Sequence, residues 1–176
     1  AFEETKEQQQ KSVSNVSLEF NNINIDEKGF VYATTAAIDE NDLMSAITSK
    51  NTDSEFSPAK KLNPSGQDVM KRAGFYPPSG EINVTTTATP NYTITGPSTI
   101  VDIALGPEGT WSIIDQKRQK IFTYDEDGNL LFAFGDKGSQ LGNLTMVQAI
   151  DYADSNMLVL DKENDNITVF KRTSYG

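Results

Sequence analysis

The sequence predicts an all-β chain assembled from repeated four-stranded antiparallel meanders, and three observations carry that prediction. Two stretches align without a gap, TIVDIALGPEGTWSIIDQKRQKIFTYDEDG from Thr99 and TMVQAIDYADSNMLVLDKENDNITVFKRTS from Thr145, so that Asp115 falls on Asp161 at an offset of 46. At the same offset Val101 meets Val147, Ile113 meets Val159, Ile121 meets Ile167 and Tyr124 meets Phe170. A third stretch, FNNINIDEKGFVYATT from Phe20, overlays the middle one at an offset of 80, with Ile23 on Ile103, Ile25 on Leu105 and Gly29 on Gly109. Within each copy, short runs alternate apolar and polar residues and stop at Gly, Pro, Asp or Asn, the pattern of half-buried strands closed by tight turns.

The middle copy, residues 99–136, shows the unit most plainly. Ile100 to Leu105 is a first strand, and GPEG turns the chain through Pro107 and Gly109. Trp111 to Ile114 is a second strand, followed by a polar loop from Asp115 to Gln119. Lys120 to Tyr124 is a third strand with period-2 alternation, and Leu130 to Phe134 is a fourth. Between them DEDGN supplies a hairpin, with Asp127-Gly128 expected to form a type I′ turn.

The other copies are less regular. In the first, residues 20–75, the stretch Ala36 to Phe56 interrupts the pattern between the second and third strands. Its DLMSAI segment has helix-like spacing, with Asp39 or Asn41 placed as an N-cap. The strand pair resumes as AKKLNPSGQDVMKRAG, with Gly66 in the part of Gly128. Lys60, Lys61, Lys71 and Arg72 in this pair are expected on an exposed face. Residues 76–98, YPPSGEINVTTTATPNYTITGPS from Tyr76, read as an extended connection in which NVTTT and NYTIT could pair as a hairpin. The last copy, residues 137–176, stops after its third strand. The polar segment 1–19 contains SVSNVSL, Ser12 to Leu18, a candidate closing strand.

A four-stranded meander has two faces and cannot bury both alone, so such units stack around an axis and cover one another. Four strands per unit at a period in the mid-forties is the rhythm of a β-propeller blade, for which roughly 40–50 residues is usual. The first strands crowd the axis and are expected to be small and apolar, as in IVDIAL and VQAI. The order of a small apolar strand, an acidic-Pro or Asp-Gly turn, an apolar strand ending in Asp, and KIFTYDEDGNLLFAFG resembles the NHL repeat from Phe20 to Gly176, outside the two inserted stretches. The resemblance implies a partial propeller of NHL-like blades. A closed ring takes roughly 4–8 blades, so the chain is expected to be part of a longer protein or to complete a ring with a second copy.

Composition narrows the function. With 15 basic and 25 acidic residues the net charge is −10, which repels nucleic-acid phosphates and anionic membrane surfaces. No apolar run approaches the ~20 residues needed to span a bilayer. The sequence contains no cysteine, and so neither disulfide nor thiolate metal site. It contains no histidine, which removes the commonest general base and metal ligand together with the Ser-His-Asp triad.

Asp115 and Asp161 end the second strands of two copies, beside the loops QKRQK and KENDN. Two roles fit them. Propellers commonly bind ligands at the end these loops line, where Asp115, Arg118, Asp161 and Asn164 would form a polar rim. Alternatively, each Asp accepts backbone N–H bonds and caps its own loop. Thr35 stands in this place in the first copy. Asp125, Glu126 and Asp127 lack the continuation of a calcium loop and are read as the hairpin turn. Trp111 and Tyr32 are aromatics of second strands expected to fill the space between sheets, with stacking on a sugar the other role for Trp111. Five Asn-x-Ser/Thr sequences, at Asn15, Asn83, Asn91, Asn143 and Asn166, would matter in a secreted eukaryotic protein.

The expectation is a non-catalytic binding or scaffold module with no cofactor and no metal, bacterial and extracytoplasmic, secreted or anchored. It would engage a protein, a small ligand or a glycan. The other reading is a fragment of a six-bladed propeller enzyme, a lactonase- or lyase-like hydrolase, whose catalytic residues lie outside this chain.

Overall fold

The computed structural model describes residues 19–35, 41, 57–71, 80–85, 91–135 and 144–172, with 80–85 and 91–97 described by their backbone alone. Strands β1 (Phe20–Ile25), β2 (Val31–Thr35) and β3 (Ala59–Leu62) form the first sheet. Strands β4 (Gly80–Thr85) and β5 (Asn91–Pro97) pair as the hairpin expected of the Thr-rich connection. The middle sheet is β6 (Ile100–Leu105), β7 (Trp111–Asp115), β8 (Lys120–Tyr124) and β9 (Leu130–Phe134). The last sheet is β10 (Val147–Ala153), β11 (Asn156–Asp161) and β12 (Asn166–Phe170). Each is an antiparallel meander in chain order, but only the middle one has four strands among the described residues. Among the described residues the first sheet has, in place of a fourth strand, a bridge from Leu62 to Asp68, where the Asp68 carboxylate accepts the N–H groups of Lys61 and Met70. Ser12 to Leu18 and the helix-like DLMSAI segment lie outside the described residues.

The turns follow one local rule. In Asp26–Phe30, Asn63–Gln67 and Asp125–Asn129, the first residue's Oδ1 accepts the N–H groups two and four positions on. The fourth residue is a glycine at φ 83, 82 and 82 respectively. A side-chain amide or carboxylate thus closes the turn, and glycine alone takes the left-handed step without strain. This corrects the type I′ expectation at Asp127-Gly128: Gly128 has positive φ but Asp127 does not, so the turn is an Asx-closed one with a glycine bulge. Asp125 sits below the ordinary carboxylate range because the Asn129 side chain and the N–H groups of the turn hydrogen-bond its charged form.

Register also corrects the repeat. Ile100 and Val147 both oppose the strand-end Asp, and Ile103 and Ile150 oppose Ile113 and Val159. The first strands are therefore offset by 47 and the second strands by 46, because five residues, 106–110, connect the pair Leu105↔Trp111, whereas four, 153–156, connect the equivalent pair Tyr152↔Met157. The offset of 80 to the first sheet holds pair by pair, from Phe20↔Thr35 to Ile25↔Val31. In all three sheets a bulge follows the first paired residue of the inner strand.

The sheets stack in series through their first strands, β1 on β6 and β6 on β10. Alternation along β7 sends Trp111 and Ile113 to one side and Ile114 to the other. The first side meets Tyr32, Ala59 and Met70 of the first sheet, and the second meets Val147, Ile150, Met157 and Val159 of the last. Burying each large aliphatic side chain stabilises by roughly 1.5–3 kcal/mol, so these two interfaces hold the molecule together. Trp111 is buried, stacks on Tyr124 with centroids 4.3 Å apart, and donates from Nε1 to the Asp125 carbonyl at 3.2 Å. It packs between sheets and offers no face to a sugar. Lys60 corrects another expectation: it is 5 % exposed, whereas Lys61 lies 4.7 Å over the Phe30 ring and Lys71 forms a solvent-exposed 2.6 Å ion pair with Asp127. Meanders stacked through their first strands make the fold an all-β partial propeller.

Candidate functional site

The loops after β7 and β11 are built by the same device. Asp115 is fully buried, and its Oδ1 accepts from the Thr99 N–H at 3.2 Å and the Lys117 N–H at 3.1 Å. Its Oδ2 pairs with Arg118 Nη1 at 2.7 Å, and the same nitrogen reaches Ser98 Oγ at 3.2 Å. Asp161, also buried, accepts from the N–H groups of Thr145 at 2.9 Å, Met146 at 3.1 Å and Glu163 at 3.2 Å. Asn164 Nδ2 donates to Asp161 Oδ2 at 3.2 Å and to Thr145 Oγ1 at 2.8 Å. Each carboxylate therefore ties the loop after the second strand to the residues that lead into the first strand of its own sheet. Thr35, at the same position of the first sheet, donates its N–H to the Pro58 carbonyl at 2.9 Å.

The burial of Asp161 works against its charge, but the N–H groups of Thr145 and Met146 and the Asn164 side chain outweigh that cost. Its carboxyl is thus held below the ordinary value and stays ionised well into the acid range.

The structure pairs Arg118 with Asp115 and Asn164 with Asp161, each within one sheet. The two pairs are joined by residues that sequence reading passed over. Gln116 Nε2 donates to the Val147 carbonyl at 3.1 Å, and Gln119 Oε1 accepts the Val147 N–H at 2.8 Å. The loop of the middle sheet thereby grips the start of β10. Gly135, at φ 100, passes so close to the Gln119 carbonyl that a Cβ there would collide with it.

A second polar junction lies along the first strands. Asp102 on β6 accepts from Asn22 Nδ2 at 2.7 Å on Oδ1 and from the Ile150 N–H at 2.8 Å on Oδ2, so one carboxylate joins three sheets. Asn21 Nδ2 adds a bond to the Ile100 carbonyl at 2.6 Å. The first strands are thus not simply small and apolar: their polar positions carry the sheet-to-sheet bonds. Burial pushes the Asp102 carboxyl above its ordinary value, partly offset by the N–H groups of Ile150 and Ile103, and the charge of Asp151 raises it further. An Asp inside an apolar strand and an Asn pair opening another were the available signals.

Among the described residues no three His, Cys, Asp or Glu side chains gather as a metal site, and no helix is long and apolar enough to cross a membrane. No protein-family model matches the chain, and no curated protein matches it. Among solved structures it is similar to a catalytically inactive virginiamycin B lyase from Staphylococcus aureus, determined with quinupristin, at 15% sequence identity and a TM-score of 0.39. The alignment covers 92% of this chain and 58% of that one, so the chain spans less than two-thirds of the lyase's length.

Proposed function

We propose that the chain is a non-catalytic binding or scaffold module of NHL-like blades. It contacts a protein, small ligand or glycan at the end formed by the loops Gln116–Gln119 and Lys162–Asp165, outside the cytoplasm. The observation that supports this reading is the engagement of the repeated carboxylates. Asp115 and Asp161 are buried and hydrogen-bonded to the loops they hold, in a sequence with no histidine or cysteine. Groups so committed shape a rim and are poorly placed for proton transfer or nucleophilic attack. The same loops present Lys117, Glu163 and Asn164 outward, groups suited to hydrogen bonding and ion pairing with a ligand.

An amide-resolved NMR titration with a panel of oligosaccharides and peptides tests the reading. Shifts confined to residues 116–119 and 162–165 are expected, with Lys117→Ala and Glu163→Ala together weakening binding by about tenfold, close to 1.4 kcal/mol. Turnover of any substrate by the chain would reject the non-catalytic reading, and a stoichiometrically bound metal ion would favour the enzyme-fragment reading instead. Recovery of the protein from the cytoplasm on fractionation of its source cells would reject the extracytoplasmic placement.

A further inference from the structure

Stacking covers the faces of a sheet and leaves its outer edge open, however many sheets adjoin it. In the middle sheet that edge is β9, the last strand in the order β6-β7-β8-β9, and among the described residues nothing pairs on its far side. Its sequence, LLFAF, has no polar or charged side chain. Leu131 is 51 % exposed, Phe132 46 %, and Ala133 is exposed with them. Phe132 and Ala133 are successive residues of the strand and point to opposite faces. The centre of β9 is therefore open on both faces as well as along its edge.

Elsewhere the chain closes edges with its own side chains. On the first strands, Asn24 Oδ1 accepts the Ile25 N–H at 2.9 Å, Asp102 Oδ1 the Ile103 N–H at 2.8 Å and Asp151 Oδ1 the Tyr152 N–H at 2.8 Å. On the outer side of the first sheet, Asp68 Oδ1 accepts the Met70 N–H at 3.0 Å. Such local bonds occupy donors that an added strand would need. No side chain of β9 can do the same, and its outward N–H and C=O groups stand as a template for another strand.

We infer that β9 recruits an extended segment of a partner protein by antiparallel strand addition, and that this segment is apolar with Lys or Arg at its C-terminal end. The free backbone edge demands an extended occupant, and Leu131 and Phe132 reward apolar side chains on it. Antiparallel pairing is the more stable kind and continues the order of the sheet. An antiparallel strand on β9 runs toward the turn from which β9 starts, and that turn carries Asp125, Glu126 and Asp127. Asp127 is paired with Lys71, but Glu126 is exposed and free to meet a cation on the incoming strand. The net charge of −10 opposes pairing of β9 with the same strand of a second copy. This edge is separate from residues 116–119 and 162–165, so its failure leaves the loop-end reading standing.

Amide-resolved NMR titration with three synthetic peptides is the test. The first alternates valine and threonine and ends in a pair of lysines; the second ends in a pair of glutamates; the third is the first with every amide N-methylated. The lysine peptide is expected to shift the amides of residues 130–134 and slow their exchange with solvent. The glutamate peptide is expected to bind at least about tenfold more weakly, and the methylated one not at all, because it cannot donate to the ladder. Leu131→Lys sets a charge on the edge and is expected to weaken the lysine peptide by at least about tenfold. Glu126→Lys is expected to narrow or reverse the preference for lysine over glutamate. Phe132→Thr reports on the same edge should Leu131→Lys disturb β9, and far-UV circular dichroism checks that each variant keeps its sheets. No response of residues 130–134 to the lysine peptide overturns the proposal. Equal binding of the methylated peptide overturns strand addition, and equal binding of the glutamate peptide overturns the basic occupant. A species of twice the 19.3 kDa chain mass without peptide, lost in Leu131→Lys, overturns it in favour of a second copy.

Discussion

The middle and last sheets come from one repeat, share register along their second and third strands, and end their second strands in the same buried Asp. Yet all five residues of β7 are buried, while β11 alternates between buried and open positions. Ile114 and Leu160 occupy one repeat position, at 0 % and 40 % exposure. The difference lies in the neighbours. Local sequence makes both into strands of the same kind, and stacking alone decides how much each side chain stabilises.

The strongest way to break this comparison is to delete the same atoms at both places. Ile114→Ala is expected to destabilise the chain by about 3 kcal/mol, from lost burial plus the cavity left behind. Leu160→Ala is expected to cost below about 1 kcal/mol. Urea unfolding of both variants checks this; equal losses would show that the last sheet is covered as fully as the middle one.

The latches sharpen the comparison next. Asp115→Ala and Asp161→Ala are each expected to cost about 2–3 kcal/mol, because several N–H donors lose their acceptor in a buried place. The Asp161 loss depends on pH in a defined direction. Its folded carboxyl lies below the unfolded value, so its stabilisation is present above the ordinary Asp value of about 3.9 and is lost as pH falls through the lower folded one. The gap between wild type and Asp161→Ala, followed by denaturant melts from neutral to acid pH, is expected to close at the acid end.

Gly135→Ala probes where the middle sheet's fourth strand ends over the loop that grips β10. Positive φ and the Gln119 carbonyl both oppose a side chain, and a loss of about 2 kcal/mol is expected in the melting transition. The smallest effect is expected at Asp102, and with the opposite sign of pH dependence. Its folded carboxyl is raised, so its contribution is fully present below the unfolded value and is lost as pH rises through the folded one. Wild type is therefore expected to gain stability relative to Asp102→Asn as pH falls, which the same series of melts would show.

Much of this was legible in the chain itself. Period-2 runs located the strands of the repeats, and the matched glycines Gly29, Gly66 and Gly128 marked three turns. The offset of 80 held at every paired position of the first strands. The offset of 46 failed in β6 and β10 by one residue, because a turn can absorb a residue without changing either strand's pattern. Asp115 and Asp161 were found as equivalent positions, and the loop-capping role, favoured by their recurrence, is the one their partners show.

Sequence by itself determined the local elements: strands, the glycine-bearing turns between them, and the absence of histidine and cysteine chemistry. Each depends on residues within a few positions of one another or on composition alone. Tertiary structure decided that Asp102 joins three sheets, that Gln116 and Gln119 grip a strand some 30 residues away, that Lys60 is buried, and which apolar faces remain open. Those outcomes depend on which surfaces meet, and a strand's alternation specifies two faces without naming the neighbour of either.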